Sequence, residues 1–205
     1  SELKGELLPS LTLGESIATV AMLEEGSDWN PAHVQLKAEA VDSGVALTGS
    51  KKLVLDAASA NFVLVAARLD DELIVAVVDK SADGLSLTAT PGMDLTRRYY
   101  QVDFDNVSAK VLAKGTVAEN ALKRSIQIGA TITCADLLGG MEWVLKTTVE
   151  YARTRQQFGK AIGSYQAVQH QCADMLLMNE SARSATYYAA WALYENDSAG
   201  DEAVS

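Results

Sequence analysis

The side chains able to do chemistry are few. The chain carries two histidines, His33 and His170, and two cysteines, Cys134 and Cys172. A structural zinc site takes four N or S ligands, and a Ser-His-Asp triad needs a histidine between its partners. Neither is expected from groups this sparse. Both cysteines fall in helix-like stretches, where they read as buried thiols, and this usage fits a reducing cytoplasm. The densest group of candidates runs Tyr151-Ala152-Arg153-Thr154-Arg155-Gln156-Gln157-Phe158-Gly159-Lys160-Ala161-Ile162-Gly163-Ser164-Tyr165-Gln166. A guanidinium such as that of Arg155 can give paired hydrogen bonds to phosphate oxygens. An arginine ending a helix also complements the helix dipole. Residue type leaves both readings open. His170, one turn beyond Gln166, reads first as a helix-interface residue.

The elements that must position these residues change character near residue 115. Before it, short runs alternate or are wholly apolar: 18–23, 34–40, 44–49, 62–68, 73–78, 85–90 and 99–104. Asp42-Ser43-Gly44 and Asp70-Asp71 fall between paired runs as hairpin turns. About eight strands at short spacing, with no helix between them, predict an antiparallel sandwich or barrel. After Gly115, Ile128, Ile132, Ala135, Leu138, Met141, Leu145, Val149 and Ala152 recur every three or four residues. The spacing predicts a helix over about 119–155, roughly 55 Å long. A second helix is expected over 166–195, with Ala173, Leu176, Leu177, Ala182, Ala185, Ala189 and Ala192 near one face, and then a loop at 196–201. The fold class is therefore α+β: a β-domain over 1–115, then a long antiparallel helical hairpin over 116–205. Each helix carries more apolar surface than the other can cover. The cover must come from further chain, another subunit, or both.

The 205 residues include 17 basic and 27 acidic side chains, a formal charge of −10. No basic patch is large enough for nucleic acid, and the acid balance disfavours an anionic membrane surface. No uninterrupted run of 18 apolar residues occurs, so nothing is expected to span a bilayer.

The 151–166 stretch resembles the acyl-CoA dehydrogenase family, whose pattern there is Arg-x-x-Phe-Gly, then Ile, then Gln, followed by Ala-Asp-Met, here Ala173-Asp174-Met175. Gly26-Ser27-Asp28, Gly49-Ser50-Lys51 and Phe104-Asp105-Asn106-Val107 resemble further family segments in the same order. The resemblance implies the family's middle β-domain followed by the first two helices of its four-helix C-terminal domain. It implies FAD as cofactor, an acyl-CoA thioester as substrate, and a dimer or tetramer of this or homologous subunits. It further implies that Arg155 reaches the FAD pyrophosphate of a neighbouring subunit, with Phe158 and Gln166 lining that site. The family reaction removes an α-proton with a glutamate while a β-hydride passes to the flavin.

Three departures stand beside the resemblance. No base is visible: the helix position that carries it in some relatives falls near Ala130, between Gly129 and Thr131. The family's Trp-Ile-Thr beside the flavin reads Leu53-Val54-Leu55 here. The family's Thr-Glu-Pro-Gly-Ala-Gly-Ser-Asp loop is shortened to Leu23-Glu24-Glu25-Gly26-Ser27-Asp28, which brings two carboxylates, read as solvated, near the flavin wall. Three functions are compatible: an FAD-dependent dehydrogenase subunit, a non-catalytic subunit that completes a neighbour's FAD site, or an acyl-CoA-binding module. Arg97-Arg98 could face cofactor phosphates or be strand-end surface charges.

Overall fold

The computed structural model describes residues 2–195; the loop expected at 196–201 lies outside the described residues. The chain divides into two compact units, residues 1–123 and 124–205. The first opens with a helix not foreseen in the sequence, α1 (Glu2–Thr12), which contains Pro9. Gly5 and Pro9 both disfavour a helix interior, so no helical signal stood out. Seven strands follow: β1 (Ala18–Ala21), β2 (Lys37–Val41), β3 (Gly44–Leu55), β4 (Phe62–Leu69), β5 (Glu72–Asp79), β6 (Leu85–Thr90) and β7 (Tyr99–Lys114).

The strands form one sheet that closes through β4, β2, β3, β7, β5 and back to β4, with β1 added to β4 and β6 to β7. Most pairings are antiparallel, as expected. Two are not: β1 runs parallel to β4, and β2 meets the end of β4 in parallel, Lys37 opposite Arg68 and Ala38 opposite Leu69. The 16-residue β7 is the spine. Its first half lies between β3 and β6, and its last residues pair with β5. The hydrophobic core is built from alternate residues facing the interior, among them Leu47, Val54, Val65, Ile74, Val78, Val102 and Val107. Each such side chain contributes about 1.5–3 kcal/mol by leaving water. The β4–β5 hairpin turns on Asp70 and Asp71, with φ of 49° and 64°. Both central residues are left-handed, the geometry that matches strand twist.

In the second unit the sequence expectation matches the two helices closely. Helix α2 runs Thr116–Thr154, its first turns belonging to the first unit, and α3 runs Gln166–Glu195. They are antiparallel. Arg124 near the start of α2 donates to the Leu193 carbonyl near the end of α3, and Glu142 pairs with Arg183. Where the connection returns, a Cβ added to Gly163 would lie 2.9 Å from the Ala152 carbonyl oxygen.

Two helices cover only a strip of each other. Thr131, Leu138, Ala152, Asn179, Ala189, Ala192 and Leu193 are buried. Most of the expected apolar face is not: Ile132 is 64% exposed and Leu177 is 67% exposed. Cys134 is exposed and Cys172 half-buried, against the expectation of two buried thiols. The same helix faces that lack cover leave them so. By length and composition α2 also passes for a membrane span, although Asp136 and Glu142 sit in its apolar middle and would each be costly there.

Candidate functional site

The connection between α2 and α3 is a miniature hairpin, β8 (Gln156–Gln157) paired with β9 (Lys160–Ala161). Phe158 and Gly159 form its turn, with φ of 53° and 80°. Two left-handed central residues define the turn type that favours Asn, Asp or Gly at the first position and Gly at the second. Gly159 meets that demand. Phe158 does not, and a bulky residue there costs about 1–2 kcal/mol. The residue is 93% exposed, so no packing among the described residues compensates. A left-handed, unpacked aromatic is the kind of outlier that persists where it serves a contact outside its own fold.

Arg155 is tied by its backbone. Its N–H donates to the Tyr151 carbonyl at 2.8 Å, the last helical bond of α2, and its carbonyl accepts from Ile162 N at 2.8 Å. Its guanidinium is exposed and has no hydrogen bond or ion pair with any described residue. Arg98 and Arg153 share this state, whereas Arg68, Arg124 and Arg183 are each engaged by carbonyls or carboxylates. What sets Arg155 apart is its place beside the Phe158–Gly159 turn. The hairpin is braced on its other side. Tyr165 donates from its hydroxyl to the Gln157 carbonyl at 3.2 Å, Lys160 stands 4.2 Å over the Tyr165 ring, and Gln169 donates to the Gly163 carbonyl at 2.9 Å. Gln166 opens α3 and is exposed, as is His170 one turn on. Arg155, Phe158 and Gln166 are thus carried on one short, braced connection, all solvent-facing.

A second feature lies in the β-domain, at the strand that the resemblance places beside a flavin. Strand β3 bulges between Lys51 and Val54, and Leu53 sits in the bulge with φ 51° and half of its surface exposed. Lys52 N donates to the Leu23 carbonyl at 2.8 Å, which holds the β1–β2 connection against this strand. Leu55 is half-buried, and its carbonyl accepts from Thr19 Oγ1 at 2.6 Å.

The carboxylates of that connection differ from expectation. Glu24 is not solvated: it takes a 2.6 Å ion pair from Lys51, whose side chain is fully buried. Glu24 also accepts from Gln35 N and Leu36 N. Burial pushes the Glu24 carboxyl up, but the Lys51 hydrogen bond, the Leu36 amide, the Lys51 charge and the Gln35 amide outweigh it and hold the group below its ordinary value. Burial pushes the Lys51 ammonium down, opposed by its bond to and attraction for Glu24. Only Glu25 is solvated, 3.5 Å from Lys52. The pair was missed because its members are 27 residues apart in sequence; the available signal was a lysine at an inward-facing position of β3. Thr131, beside the position near Ala130, is buried and its hydroxyl is spent on the Gln127 carbonyl at 2.9 Å. Arg97 and Arg98 line a shallow surface depression with Thr90, Asp94 and Tyr99.

A closed β-domain followed by long helices joined through an Arg-x-x-Phe-Gly hairpin is the architecture of the flavin-dependent acyl dehydrogenases. Residues 119–205 match the family model described as acyl-CoA dehydrogenase, C-terminal domain. The chain is 29% identical over 203 residues to an L-prolyl-[peptidyl-carrier protein] dehydrogenase of a Serratia species, covering 93% of this chain and 52% of that protein. It is 45% identical over 82 residues to acyl-CoA dehydrogenase FadE34 of Mycobacterium tuberculosis, covering 40% of this chain and 12% of that one. A solved structure described as PigA with FAD and proline superposes with a TM-score of 0.92 at 26% identity, over 100% of this chain and 56% of its own. The chain belongs to the acyl-CoA dehydrogenase family. It spans about half the length of the curated relatives that it matches along its whole extent.

Proposed function

We propose that the chain is the central part of an FAD-dependent dehydrogenase subunit that introduces an α,β double bond into an acyl thioester. The observation that carries this reading is the 155–166 connection. It holds an unpaired guanidinium and a strained, exposed aromatic on a braced hairpin, within a chain that superposes on an FAD-bound relative. These residues fit the cofactor. A diphosphate suits a free guanidinium, and an exposed ring suits a flat, largely apolar ligand. Arg155 would hold the pyrophosphate, with Phe158 and Gln166 beside it, at a site shared with a neighbouring subunit. In the β-domain, the exposed Leu53 would supply an apolar wall for the ring without stacking or donating. Bound FAD would accept the β-hydride. The chain's own part is to bind, orient and exclude water.

The α-proton needs a base. Gly129, Ala130 and the internally bonded Thr131 offer none, so the base would come from elsewhere in the subunit or from a partner. This observation favours a second reading, in which the subunit completes a homologous partner's FAD site and is not itself catalytic. The thioester would be carried on CoA or on an acyl-carrier protein, and a cytoplasmic location belongs to the same proposal. The deciding experiment is purification of the full-length protein alone and with any co-encoded homologue, followed by flavin absorbance and anaerobic reduction by acyl-CoA. Yellow protein that is bleached by substrate when purified alone supports the first reading. Flavin retained only in the mixed complex supports the second. Colourless protein in both preparations sinks the cofactor assignment and leaves acyl-CoA binding alone.

A further inference from the structure

The β1–β2 connection, residues 22–36, is held by cations from two strands. Lys51 on β3 donates to the Met22 carbonyl at 2.9 Å and to Glu24 Oε1 at 2.6 Å. Arg68 on β4 donates to the Val34 carbonyl at 3.0 Å and the Ala32 carbonyl at 2.8 Å. Glu24 joins the two ends of the connection: its carboxylate accepts from Gln35 N at 3.0 Å and from Leu36 N at 2.9 Å. The outer part is supported by its own turns, with Glu24 N donating to Ser27 Oγ and Asn30 N donating to Asp28 Oδ1. An ammonium as buried as that of Lys51 is costly unless paired, and an apolar pair of similar volume would hold a strand as well. What the ion pair adds is direction and a cancelled charge.

We propose that Glu24 and Lys51 are positioning residues of the flavin site: a neutral clamp that fixes the Leu23–Ser27 backbone against β3 beside the exposed Leu53. The proposal rests on the flavin reading above. Carboxylates at this wall would oppose an anionic reduced flavin; pairing with Lys51 neutralises the inner one. The other charged groups around it are Lys52 and Glu25 along its outer side, Arg68 from β4, and the exposed Asp28–His33 pair at the tip.

The test uses the full-length protein, with its partner subunit if flavin requires one, and the variants Lys51→Met, Glu24→Gln and the two combined. Two quantities are read: hydrogen exchange at the Gln35 and Leu36 amides, and the flavin reduction potential. In Lys51→Met, protection of both amides should fall, and the potential should drop because a lone carboxylate disfavours added negative charge. In Glu24→Gln the lone ammonium should raise the potential. The double variant should return toward the parent value. Opposite shifts that cancel on combination are not produced by a general loss of stability. Potentials that move in the same direction, or not at all, overturn the proposal. Should Lys51→Met not fold, the rise in Glu24→Gln decides alone. If the parent protein holds no flavin, the functional reading has failed by itself, and unchanged exchange at Gln35 and Leu36 in the variants overturns the clamp separately.

Discussion

At the scale of single residues, Arg155 and Phe158 make separable predictions. A charge-assisted bond to phosphate contributes about 1.5–3 kcal/mol. Arg155→Ala should therefore weaken FAD retention at least about tenfold with the fold intact; unchanged flavin content after dialysis would refute its role. Phe158→Asn should relieve the left-handed strain, raising thermal stability by about 1 kcal/mol while lowering flavin retention. A variant that gains stability and keeps its flavin would mean that the aromatic serves nothing outside the chain. Glu24 adds a pH dependence. Its folded carboxyl lies below its ordinary value of 4.5. The stability it contributes is then fully present above that value and is lost as pH falls through and below it. The melting temperature should drop more steeply on acidification in the parent protein than in Glu24→Gln; parallel curves would remove Glu24 from the acid response. That Arg155, Phe158 and Gln166 share one exposed connection was legible because they lie close together in a patterned stretch. Glu24 and Lys51 were not, because an ion pair that closes a 27-residue separation exists only once β1 and β3 are neighbours.

At the scale of elements, local periodicity determined what could be read. The continuous apolar runs of β4 and β5, the alternation of β6 and the three-four spacing of α2 are written within each segment, and their limits fall within a few residues of expectation. Partner choice is not local. A strand with period two pairs equally well in either direction, so the parallel contacts of β4 with β1 and β2 could not be inferred from alternation. Helix α1 was hidden by Gly5 and Pro9, and the left-handed Phe158 by the absence of the Asn or Asp that normally marks such a turn. The helical hairpin depends on one close approach. A Cβ at Gly163 would meet the Ala152 carbonyl oxygen at 2.9 Å, and this oxygen belongs to backbone that cannot swing aside. Gly163→Ala should therefore push the 162–165 turn away from α2, loosen the Arg155–Ile162 bond that closes the hairpin, and destabilise the protein by about 1–3 kcal/mol. The check is denaturant unfolding together with exchange at Ile162. Undiminished protection there would show that the turn does not need the glycine.

At the scale of the whole molecule, the helices decide how the chain can exist in solution. Trp143 is 68% exposed and Met178 65%, and both border an apolar groove with Leu137, Met141, Val144 and Met175. Trp191 and Tyr187 add further exposed aromatic surface on α3. Contiguous apolar patches of this kind are rare on stable monomers, and amphipathic helices gain most of their stability from the partner that covers them. The first unit depends less on outside cover: Leu13, Met93 and Leu95 are exposed, but its strands close on a core of buried, mostly aliphatic side chains. Residues 1–205 produced alone should therefore behave unevenly. The β-domain should unfold cooperatively, while the helical part should bind an apolar dye and self-associate with rising concentration. Full-length protein in the assembly proposed above should do neither. Leu137→Asp, which adds a second carboxylate beside Asp136 at the groove, should suppress self-association of the isolated segment and weaken the proposed assembly by the same contact. Sedimentation across a concentration series reads both effects. A monomeric, dye-silent segment would mean that the two helices satisfy each other after all, and that the groove needs no cover.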